Sequence, residues 1–335
     1  MKLSIGIVGL PNVGKSSLFR ILTQQEVNVA NYPFATIDPN IGVVAVPDER
    51  LDKLEEMSKS AKKIPAVVEF YDIAGLVKGA HEGQGLGNQF LGHISEVNAI
   101  CHVLRCFEGG GIIHVEETID PLRDLEIINL ELTFKDLEKA ERRMEKLEGE
   151  ARTGDKKKQE DWRAVRDVVE ALKSGQLANS LLGEVLDNSA VKELQLLTSK
   201  PQIFLLNGLA GLANERLLAK IKELRSDYVC VDLSQAQNVN ELVAKAYEVL
   251  GLISFFTTGE DETRAWTIEK GSKAPQAAGA IHSDFEKKFI RAETINWQKL
   301  LEAGSWVKAR QNGWIRSEGK EYIVQDGDVL EIKHG

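Results

Sequence analysis

The hydrophobic positions at the start of the chain predict a strand, a loop and a helix. The run LSIGIVG (3–9) is apolar over the length of a buried strand. After the stretch GLPNVGKSS (9–17), the residues Leu18, Ile21 and Leu22 recur at helical spacing. Further apolar runs have the length of buried strands, namely PAVVEFYD (65–72), AICHVLRCF (99–107), PQIFLLN (201–207) and YVCVDLS (228–234). The pattern indicates an α/β fold with a mainly parallel sheet.

The middle of the chain carries a different apolar pattern, at approximately heptad spacing. One stripe consists of Leu130, Phe134, Leu137, Met144, Leu147 and Ala151, and a second of Trp162, Val165, Val169 and Leu172. The segment TGDKKK (153–158) separates the stripes, which predict two antiparallel helices. Basic and acidic residues between Glu131 and Lys173 are nearly balanced, and this favours a solvated coiled-coil hairpin. The alternative interpretation is an arm that binds a partner.

From about Leu252 the pattern changes again. Short strand-like runs, RAWTI (264–268), GWIRSEG (313–319) and EYIVQDGDVLEI (321–332), are separated by glycine turns. They indicate a separate α+β unit at the end of the chain. Its four tryptophans are predicted to be core residues, the alternative being partly exposed rings that stack on RNA bases. These tryptophans are Trp266, Trp297, Trp306 and Trp314.

Length and composition limit the class of protein. The chain has 335 residues, 43% hydrophobic and 28% charged, and is long enough to bury two or three cores. It lacks a run of roughly 20 apolar residues and a signal-peptide pattern, so we expect a cytoplasmic protein without a membrane segment. A net charge of -9 argues against a protein that coats nucleic acid. Cys101, Cys106 and Cys230 lie in apolar runs and are expected to be reduced core residues.

The loop between the first strand and the first helix matches a phosphate-binding motif. The pattern G-x-x-x-x-G-K-[ST] is met by Gly9, Gly14, Lys15 and Ser16. Glycines let backbone N–H groups face phosphate oxygens, the lysine neutralises the phosphates, and the serine hydroxyl reaches Mg²⁺. We therefore predict a nucleotide-binding site that includes Asn12, Val13, Gly14, Lys15, Ser16 and Ser17.

Two later segments follow in the order that a nucleotide-dependent switch requires. Thr36 precedes a β-branched strand, where its hydroxyl can bind Mg²⁺ and its loop can close over the γ-phosphate. Asp72 lies at the carboxyl end of a predicted strand, and we expect it to reach Mg²⁺ through a water molecule. Gly75 can offer its backbone N–H to the γ-phosphate. Together these residues complete a predicted Mg²⁺–nucleotide site.

These motifs resemble those of the YchF branch of the Obg-related P-loop NTPases, the Obg-like ATPases. The resemblance spans nearly the whole chain and is carried by GLPNVGKSSLF, NYPFATIDPNIGVV, DIAGLVKGAHEGQGLGNQFL, IIHV, RAWTIEKGSKAPQAAGAIHSDFEKKFIRAE and YIVQDGDVLEI. It implies a doubly wound P-loop NTPase G-domain, an inserted antiparallel helical hairpin and a C-terminal β-grasp TGS domain. The corresponding boundaries are 1–129 with 196–251 for the G-domain, 130–195 for the hairpin and 252–335 for the TGS domain.

The resemblance also implies an activity and partners. It implies that ATP is preferred over GTP, that Mg²⁺ is the cofactor, and that the protein associates with ribosomes, for which we expect the large subunit to be the contact. A contact with RNA through the TGS domain is a further expectation. Basic and acidic residues are nearly balanced in the region from Leu252 onward, so the resemblance, and not charge, suggests the RNA contact.

The expected base-recognition motif is altered in this chain. Guanine is commonly read by Asn-Lys-x-Asp at the end of a strand, whose carboxylate accepts hydrogen bonds from the base. Here Asn207 remains, Gly208 replaces the lysine, and Ala210 stands where the aspartate would be, so guanine donors would be unpaired. Obg-like ATPases usually have Asn-x-x-Glu, and Ala210 departs from that pattern too. We predict that Asn207, the backbone of Gly208 and Leu209, and Ser234 bind adenine.

The residue that activates water is also unusual. Leu76 follows the Asp-x-x-Gly motif at a position where many nucleotide hydrolases have a glutamine that orients water. His81 and His114 both lie in glycine-containing loops and are candidates to replace it. The resemblance favours His114 as the catalytic residue, and a loop histidine without a chemical role is the alternative. The histidines interpreted as scaffold residues are His93, His102 and His282.

The sequence favours a Mg²⁺-dependent ATPase of low intrinsic rate whose nucleotide state switches its contact with the translation machinery. The low rate follows from the missing glutamine and from the lack of an identifiable arginine finger. A GTPase or dual-specificity enzyme is the first alternative. The second is a ribosome- or RNA-binding protein in which the nucleotide is a structural ligand.

Overall fold

The computed structural model describes residues 4–24, 40–73, 94–107, 119–152, 154–208 and 215–335. The strands are β1 (Ser4–Val8), β2 (Ile41–Ala45), β3 (Lys62–Ile64), β4 (Val67–Asp72), β5 (Ala99–Arg105), β6 (Gln202–Asn207), β7 (Asp227–Val231), β8 (Leu252–Thr258), β9 (Glu262–Glu269), β10 (Phe289–Asn296), β11 (Arg316–Glu318) and β12 (Asp328–His334). The helices are α1 (Lys15–Gln24), α2 (Glu49–Ser58), α3 (Pro121–Ala151), α4 (Lys156–Lys173), α5 (Gly183–Asp187), α6 (Ser189–Lys192), α7 (Glu215–Glu223), α8 (Asn240–Val249), α9 (Ala274–Ile281), α10 (Ser283–Lys287), α11 (Trp297–Ala303) and α12 (Trp306–Gln311). Among these helices, none has the length and apolar character needed to cross a membrane.

The first sheet has the strand order β2-β4-β1-β5-β6-β7. β2 is antiparallel to β4, and the other neighbouring strands are parallel. Ile7 is paired with Asp72 across β1 and β4, and Arg105 is paired with Asn207 across β5 and β6. Because β1, β4, β5 and β6 are parallel, their carboxyl ends lie at the same edge of the sheet. The predicted phosphate loop lies at this edge.

Helices cover both faces of the first sheet, as the doubly wound prediction requires. Alternate residues of a strand point to opposite faces, so Cys101 and Val103 of β5 join the core beneath α1 and α8. Ile100 of β5 packs on the other face, with Ile128 of α3. Leu104 of β5 packs on this second face with residues of α3 and α7. The prediction of a doubly wound α/β unit is therefore confirmed.

Helices α3 and α4 form the predicted antiparallel hairpin. Glu150 and Lys158, near the turn, form an ion pair of 2.5 Å, and Glu141 pairs at 2.7 Å with Lys173, at the far end of α4. This order of contacts is possible only if the two helices run in opposite directions. Asp155 starts α4 by accepting hydrogen bonds from the N–H groups of the first turn.

The prediction that Leu130 and Phe134 begin a buried heptad stripe on α3 is wrong. The helix begins at Pro121, nine residues before the expected start, where Asp120 caps it. Leu130 and Phe134 are 52% and 60% exposed. The reason is a change of partner along the helix. The first half packs against the first sheet, and the second half packs against α4. A single heptad stripe along α3 therefore does not describe which of its residues are buried against the sheet and against α4.

The second sheet has the order β11-β10-β12-β8-β9-β3 and contains the strands after Leu252. It also contains β3, which comes from the N-terminal part of the chain and pairs in parallel with β9. Helices α9 and α10 pack near one face of this sheet. The other face contributes Phe256 and Val329 to the large core that includes Ile5 and Leu18 of the N-terminal part. The α+β unit is present, but it shares a strand and a core with the first unit.

Two expectations on individual side chains have different outcomes. The four tryptophans are half-buried: Trp266 packs against the core of the second sheet and the others against the large core, so they border the cores and are not fully buried in them. Cys101 and Cys106 are buried, whereas Cys230 is exposed, so its prediction as a core residue is wrong. Cys230 lies on β7, the edge strand of the first sheet, and an edge strand has fewer neighbours to cover it.

Candidate functional site

The loop that joins β1 to α1 approaches neighbouring backbone and side chains closely. Gly14 has a φ of +111°, and a Cβ there would lie 2.4 Å from Nδ2 of Asn207. A Cβ on Gly9 would lie 2.6 Å from the carbonyl oxygen of Val103. Both glycines are therefore required by space, and Gly14 also by backbone conformation. The N–H of Leu18 donates to the carbonyl of Gly14 at 2.9 Å, so α1 starts directly at the loop.

Lys15 is the half-buried cation of this loop. Burial lowers the pKa of its ammonium group to about 8, and the nearby Asp72 carboxylate opposes that shift. The ammonium group donates a 2.7 Å hydrogen bond to the carbonyl oxygen of Leu10. A cation held at the N-terminus of a helix, beside backbone N–H groups, is suited to bind phosphate.

Asp72 and Ser16 provide oxygen atoms near Lys15. Asp72 ends β4, is 9% exposed, and donates its backbone N–H to the carbonyl of Asn40 at 2.9 Å. Ser16 is exposed in the first turn of α1. Carboxylate and hydroxyl oxygens are hard ligands of the kind that Mg²⁺ prefers, and a P-loop site takes its other ligands from phosphate and water. These two side chains fit a Mg²⁺–nucleotide complex.

Asn207 connects the phosphate loop with the loop after β7. Its Nδ2 donates to the carbonyl of Val13 at 2.8 Å, and its Oδ1 accepts from the N–H of Leu233 at 3.1 Å. The side chain is buried. An amide group can make further hydrogen bonds, so Asn207 stays a predicted base-binding residue, but its observed contacts hold the two loops together.

Gly208 explains why the lysine of the guanine motif is absent. Its φ is +134°, and a Cβ at this position would lie 2.4 Å from the carbonyl oxygen of Cys106. Its N–H donates to the carbonyl of Val231 at 3.0 Å, which fixes the backbone. A lysine side chain cannot be placed here without moving the neighbouring strand ends.

A cavity of about 550 Å³ lies among these loops. It brings together most of the described residues that the sequence predicted to bind nucleotide, and its lining consists of Asn12, Gly14, Lys15, Ser16, Ser17, Phe107, Asn207, Asp232, Leu233 and Ser234. Asp72 and Gly208 are not part of this lining, and Val13 is buried behind the loop. Size and composition suit a nucleotide, whose phosphates need a cation and whose base needs an apolar surface.

Sequence reasoning missed Phe107, Asp232 and Leu233 in this cavity. Phe107 lies two residues after the end of β5, and the guanidinium of Arg105 lies 4.6 Å from its ring centroid. Asp232 accepts hydrogen bonds from both the N–H and the hydroxyl of Ser234, at 2.9 and 2.6 Å. Ser234 thus presents its polar groups to Asp232. The sequence signal that could have identified these residues is their position just after β5 and β7, at the same sheet edge as Lys15.

Part of the predicted site lies outside the described residues. This applies to the metal ligand Thr36, to Gly75 and Leu76, to the base-site residues Leu209 and Ala210, and to His81, His93 and His114. Of the scaffold histidines, His102 is fully buried on β5, and His282 is exposed and caps α10.

Two family models match the chain. Residues 4–141 match the family described as 50S ribosome-binding GTPase. Residues 252–335 match the YchF GTPase C-terminal family, described as a protein of unknown function. The first match covers β1, β2, β4 and β5 of the first sheet, and the second match covers β8 to β12 of the second sheet.

Relatives match over the full length of the chain. It is 44% identical to the ribosome-binding ATPase YchF of Bacillus subtilis (strain 168), with 99% of both chains covered. Its identity to the ribosome-binding ATPase YchF of Mycoplasma genitalium is 45%, and to that of Escherichia coli O157:H7 41%, again with 99% of both chains covered. A solved structure of the Schizosaccharomyces pombe YchF GTPase is similar with a TM-score of 0.84 at 38% identity, covering 99% of this chain and 98% of that one.

These similarities extend through the phosphate loop, the helical hairpin and the C-terminal sheet. The chain belongs to the YchF family of Obg-related P-loop NTPases.

Proposed function

We propose that this protein hydrolyses ATP in preference to GTP, with Mg²⁺ as its cofactor. The observation that carries the proposal is the placement of Lys15, half-buried, in electrostatic contact with the Asp72 carboxylate and lining a cavity of nucleotide size. A cation at the start of a helix, with a carboxylate nearby, suits phosphates together with a divalent cation.

Each residue has a defined role in this proposal. Lys15 neutralises the β- and γ-phosphates, and the N–H groups of residues 12–17 surround them. Ser16 and Thr36 bind Mg²⁺ directly, and Asp72 binds it through water. Mg²⁺, when bound, withdraws charge from the phosphate oxygens that bear it as the bond breaks. Gly75 donates its N–H to the γ-phosphate, and His114 orients the attacking water.

The preference for ATP rests on the base site. Gly208 has no room for a side chain, and Ala210 has no carboxylate to accept hydrogen bonds from guanine. Asn207, the backbone at Gly208 and Leu209, and Ser234 then bind adenine. The names of the relatives differ on this point, since the bacterial ones are called ATPases and the S. pombe structure is titled as that of a GTPase.

We further propose that the nucleotide state controls binding to the ribosome, through its large subunit. The support is that several relatives are named ribosome-binding ATPases and that the matched N-terminal family is described as 50S ribosome-binding. In this proposal the chain acts in the cytoplasm, and its regions are a G-domain (1–129 and 196–251), a helical hairpin (130–195) and a TGS domain (252–335) that contacts RNA.

Single-turnover hydrolysis tests the proposal. Purified protein is mixed with labelled ATP or GTP, with Mg²⁺ or with a chelator, and with or without 50S subunits. We expect tighter binding and faster cleavage of ATP, loss of both without Mg²⁺, and faster cleavage with 50S subunits. Tighter binding of GTP would contradict the base assignment. Cleavage of neither nucleotide in any condition would show that the nucleotide is a structural ligand.

A further inference from the structure

Residues 46–66 connect β2 to β4 in the first sheet but fold against the second sheet. We call this stretch the connecting segment; it contains α2 and β3. Strand β3 pairs with β9, with Lys62 opposite Glu262 and Ile64 opposite Arg264. The N–H of Ala61 donates to the carbonyl of Glu260 at 2.8 Å and extends this pairing. The connecting segment therefore provides the edge strand of the C-terminal sheet.

Hydroxyl groups join the same two parts. Ser60 Oγ lies 2.6 Å from both the carbonyl oxygen of Gly259 and the hydroxyl of Thr263. The hydroxyl of Thr258 donates to Ser58 Oγ at 2.7 Å. Ser60 and Thr263 are buried, so separation of the connecting segment from β8 and β9 would break these hydrogen bonds and expose both hydroxyls to water.

Arg50 forms an ion pair across this boundary. Its guanidinium donates to Asp48, in its own segment, at 2.8 Å and to Asp326, in the C-terminal unit, at 2.6 Å. The carboxylate of Asp326 also accepts from the N–H of Ser254 at 3.0 Å. Burial lowers the pKa of Arg50, but hydrogen bonds to the two carboxylates raise it by more, so the net shift is upward. The guanidinium is thus held charged between the two units.

Apolar packing lies beside this ion pair. Leu51 and Leu54 of α2 share a core with Phe256 of β8 and Leu300 of α11. The Arg50 guanidinium also lies 5.1 Å from the Phe256 ring centroid. A helix held by buried leucines, an ion pair and a strand pairing moves together with the surface to which it is bound.

The two ends of the connecting segment continue into β2 and β4, which lead to the nucleotide site. β2 pairs with β4 from Ile41 opposite Tyr71 to Ala45 opposite Val67. β4 ends at Asp72, whose N–H is held by the carbonyl of Asn40. In the sequence, β2 directly follows the region of Thr36. Asp72 thus lies at the end of β4, and β2 begins five residues after Thr36 in the sequence; these two strands flank a segment that is fixed to the C-terminal unit.

We propose that the connecting segment couples nucleotide binding to the C-terminal unit, with the Arg50–Asp326 ion pair as the contact that transmits it. The inference rests on the proposed function, in which Asp72 and Thr36 bind the Mg²⁺–nucleotide complex. Docking of α2 and β3 on the C-terminal unit holds β4 and keeps Asp72 in position. By linkage, nucleotide that fixes β2 and β4 stabilises the docked arrangement.

Amide hydrogen exchange tests the forward direction of this coupling. The full-length protein is compared with and without Mg²⁺ and a non-hydrolysable ATP analogue. We expect slower exchange at Ala61, Ser254 and the paired residues 262–264, in addition to residues around Lys15. Slower exchange restricted to the phosphate loop and β4 would overturn the coupling while leaving nucleotide binding intact.

Variants of the ion pair test the reverse direction. Asp326→Asn keeps an oxygen that can accept a hydrogen bond from the N–H of Ser254, but it removes the negative charge that Arg50 binds. Arg50→Lys keeps the positive charge but removes the bidentate contact of the guanidinium with Asp326. Each should weaken binding of a fluorescent ATP analogue with Mg²⁺ by about 5-fold or more, a normal size for coupling between sites. The matched control is Glu321→Gln, which breaks the 2.6 Å pair of Lys273 and Glu321 within the C-terminal unit and should leave affinity unchanged.

The outcomes separate the coupling from the proposed function. If wild-type protein binds the analogue and both ion-pair variants bind it equally well, the coupling is wrong and the nucleotide site stands. If wild-type protein binds no nucleotide, the proposed function fails and the coupling fails with it. Circular dichroism of each variant checks that the fold is retained, and Asp326→Asn, at an exposed carboxylate, provides the test if Arg50→Lys does not fold.

Discussion

The side-chain amide of Asn207, at the end of β6, donates a 2.8 Å hydrogen bond to the carbonyl oxygen of Val13 in the phosphate loop. Its second contact, from the N–H of Leu233, brings the loop after β7 to the same point. One buried side chain therefore sets the separation of the loops expected to bind phosphate and base. Since the Nδ2 atom also occupies the space beside Gly14, the asparagine and the glycine fit together.

Asn207→Ala should weaken nucleotide binding even if Asn207 does not touch the base. The change leaves the carbonyl of Val13 and the N–H of Leu233 without partners in a buried place, at a cost of about 1–3 kcal/mol for such groups. We expect the Kd for Mg²⁺–ATP to rise roughly 10-fold, measured with a fluorescent analogue. Asn312→Ala, at an exposed residue of the C-terminal unit, is the control. Unchanged affinity in Asn207→Ala would contradict the role of this contact.

Nucleotide affinity should depend on pH through Lys15. The pKa of Lys15 is lowered to about 8 by burial, so its ammonium group loses its proton above that pH. Phosphate favours the protonated form and raises the pKa in the complex. Affinity should therefore be constant below pH 8 and fall above it, by up to tenfold per pH unit until the pKa of the complex is reached.

Titrating binding between pH 6.5 and 9.5 measures this effect. Lys15→Met, which keeps the length of the side chain without its charge, should bind weakly at every pH and lose the decline. A parallel decline in Lys15→Met would assign the titration to another group. The variant should remain folded because burial of the ammonium group is a cost to the native state, as its lowered pKa shows.

The phosphate loop could be predicted from sequence because its chemistry is local. Gly14, Lys15 and Ser16 must be adjacent to act on one phosphate, so a short motif is enough. The location of the site at the sheet edge could also be predicted, since apolar runs that end in Asp72 and Asn207 lead to the same edge of a parallel sheet. These predictions depend on the spacing of apolar residues and on where the apolar runs end, and both can be read from a single sequence.

Other features depend on contacts between distant parts of the chain. Leu130 and Phe134 have the spacing of buried residues, but α3 changes its partner from the sheet to α4, and that change is not encoded in the spacing. Strand β3 has two exposed lysines and only Ile64 buried, so no apolar run marks it as a strand. Phe107 was missed because a single aromatic residue after a strand is common. Such features follow from tertiary packing.

Stability should fall in acid because of His102. It is fully buried, and within the described part of the chain neither ring nitrogen has a hydrogen-bond partner. Burial lowers its pKa from 6.5 to about 3. The unfolded chain binds a proton near pH 6.5 and the folded one does not, so stability is constant above that pH and decreases as the pH falls towards 3. At pH 5 the loss amounts to about 2 kcal/mol.

His102→Leu should remove this part of the pH dependence. Urea unfolding followed by circular dichroism at pH 7.5 and pH 5 gives the change in unfolding free energy for each variant. We expect the difference between the two pH values to be smaller in His102→Leu than in the wild type by about 2 kcal/mol. His282→Asn, at an exposed histidine, is the control and should behave like the wild type. An unchanged pH dependence in His102→Leu would assign the acid sensitivity to other groups.

His114 should affect cleavage and not binding. Leu76 cannot hydrogen-bond a water molecule, so a residue elsewhere has to orient the nucleophile, and a neutral imidazole can do so or accept its proton. Lys15, Ser16 and Asp72, which carry the ground-state contacts to phosphate and Mg²⁺ in the proposal, are unaffected by the change His114→Ala. Turnover should therefore fall by roughly 10- to 1,000-fold while the Kd for ATP stays nearly constant.

Single-turnover cleavage and equilibrium binding of the same preparation separate these two quantities. His81→Ala is the matched control, because His81 also lies in a glycine-containing loop. If His81→Ala is slow and His114→Ala is not, the two roles are reversed. If both variants cleave ATP at the wild-type rate, the water is positioned by backbone groups, by the metal or by the ribosome. Leu76→Gln need not restore a slow His114→Ala variant, because a glutamine acts only where its loop directs it at the γ-phosphate.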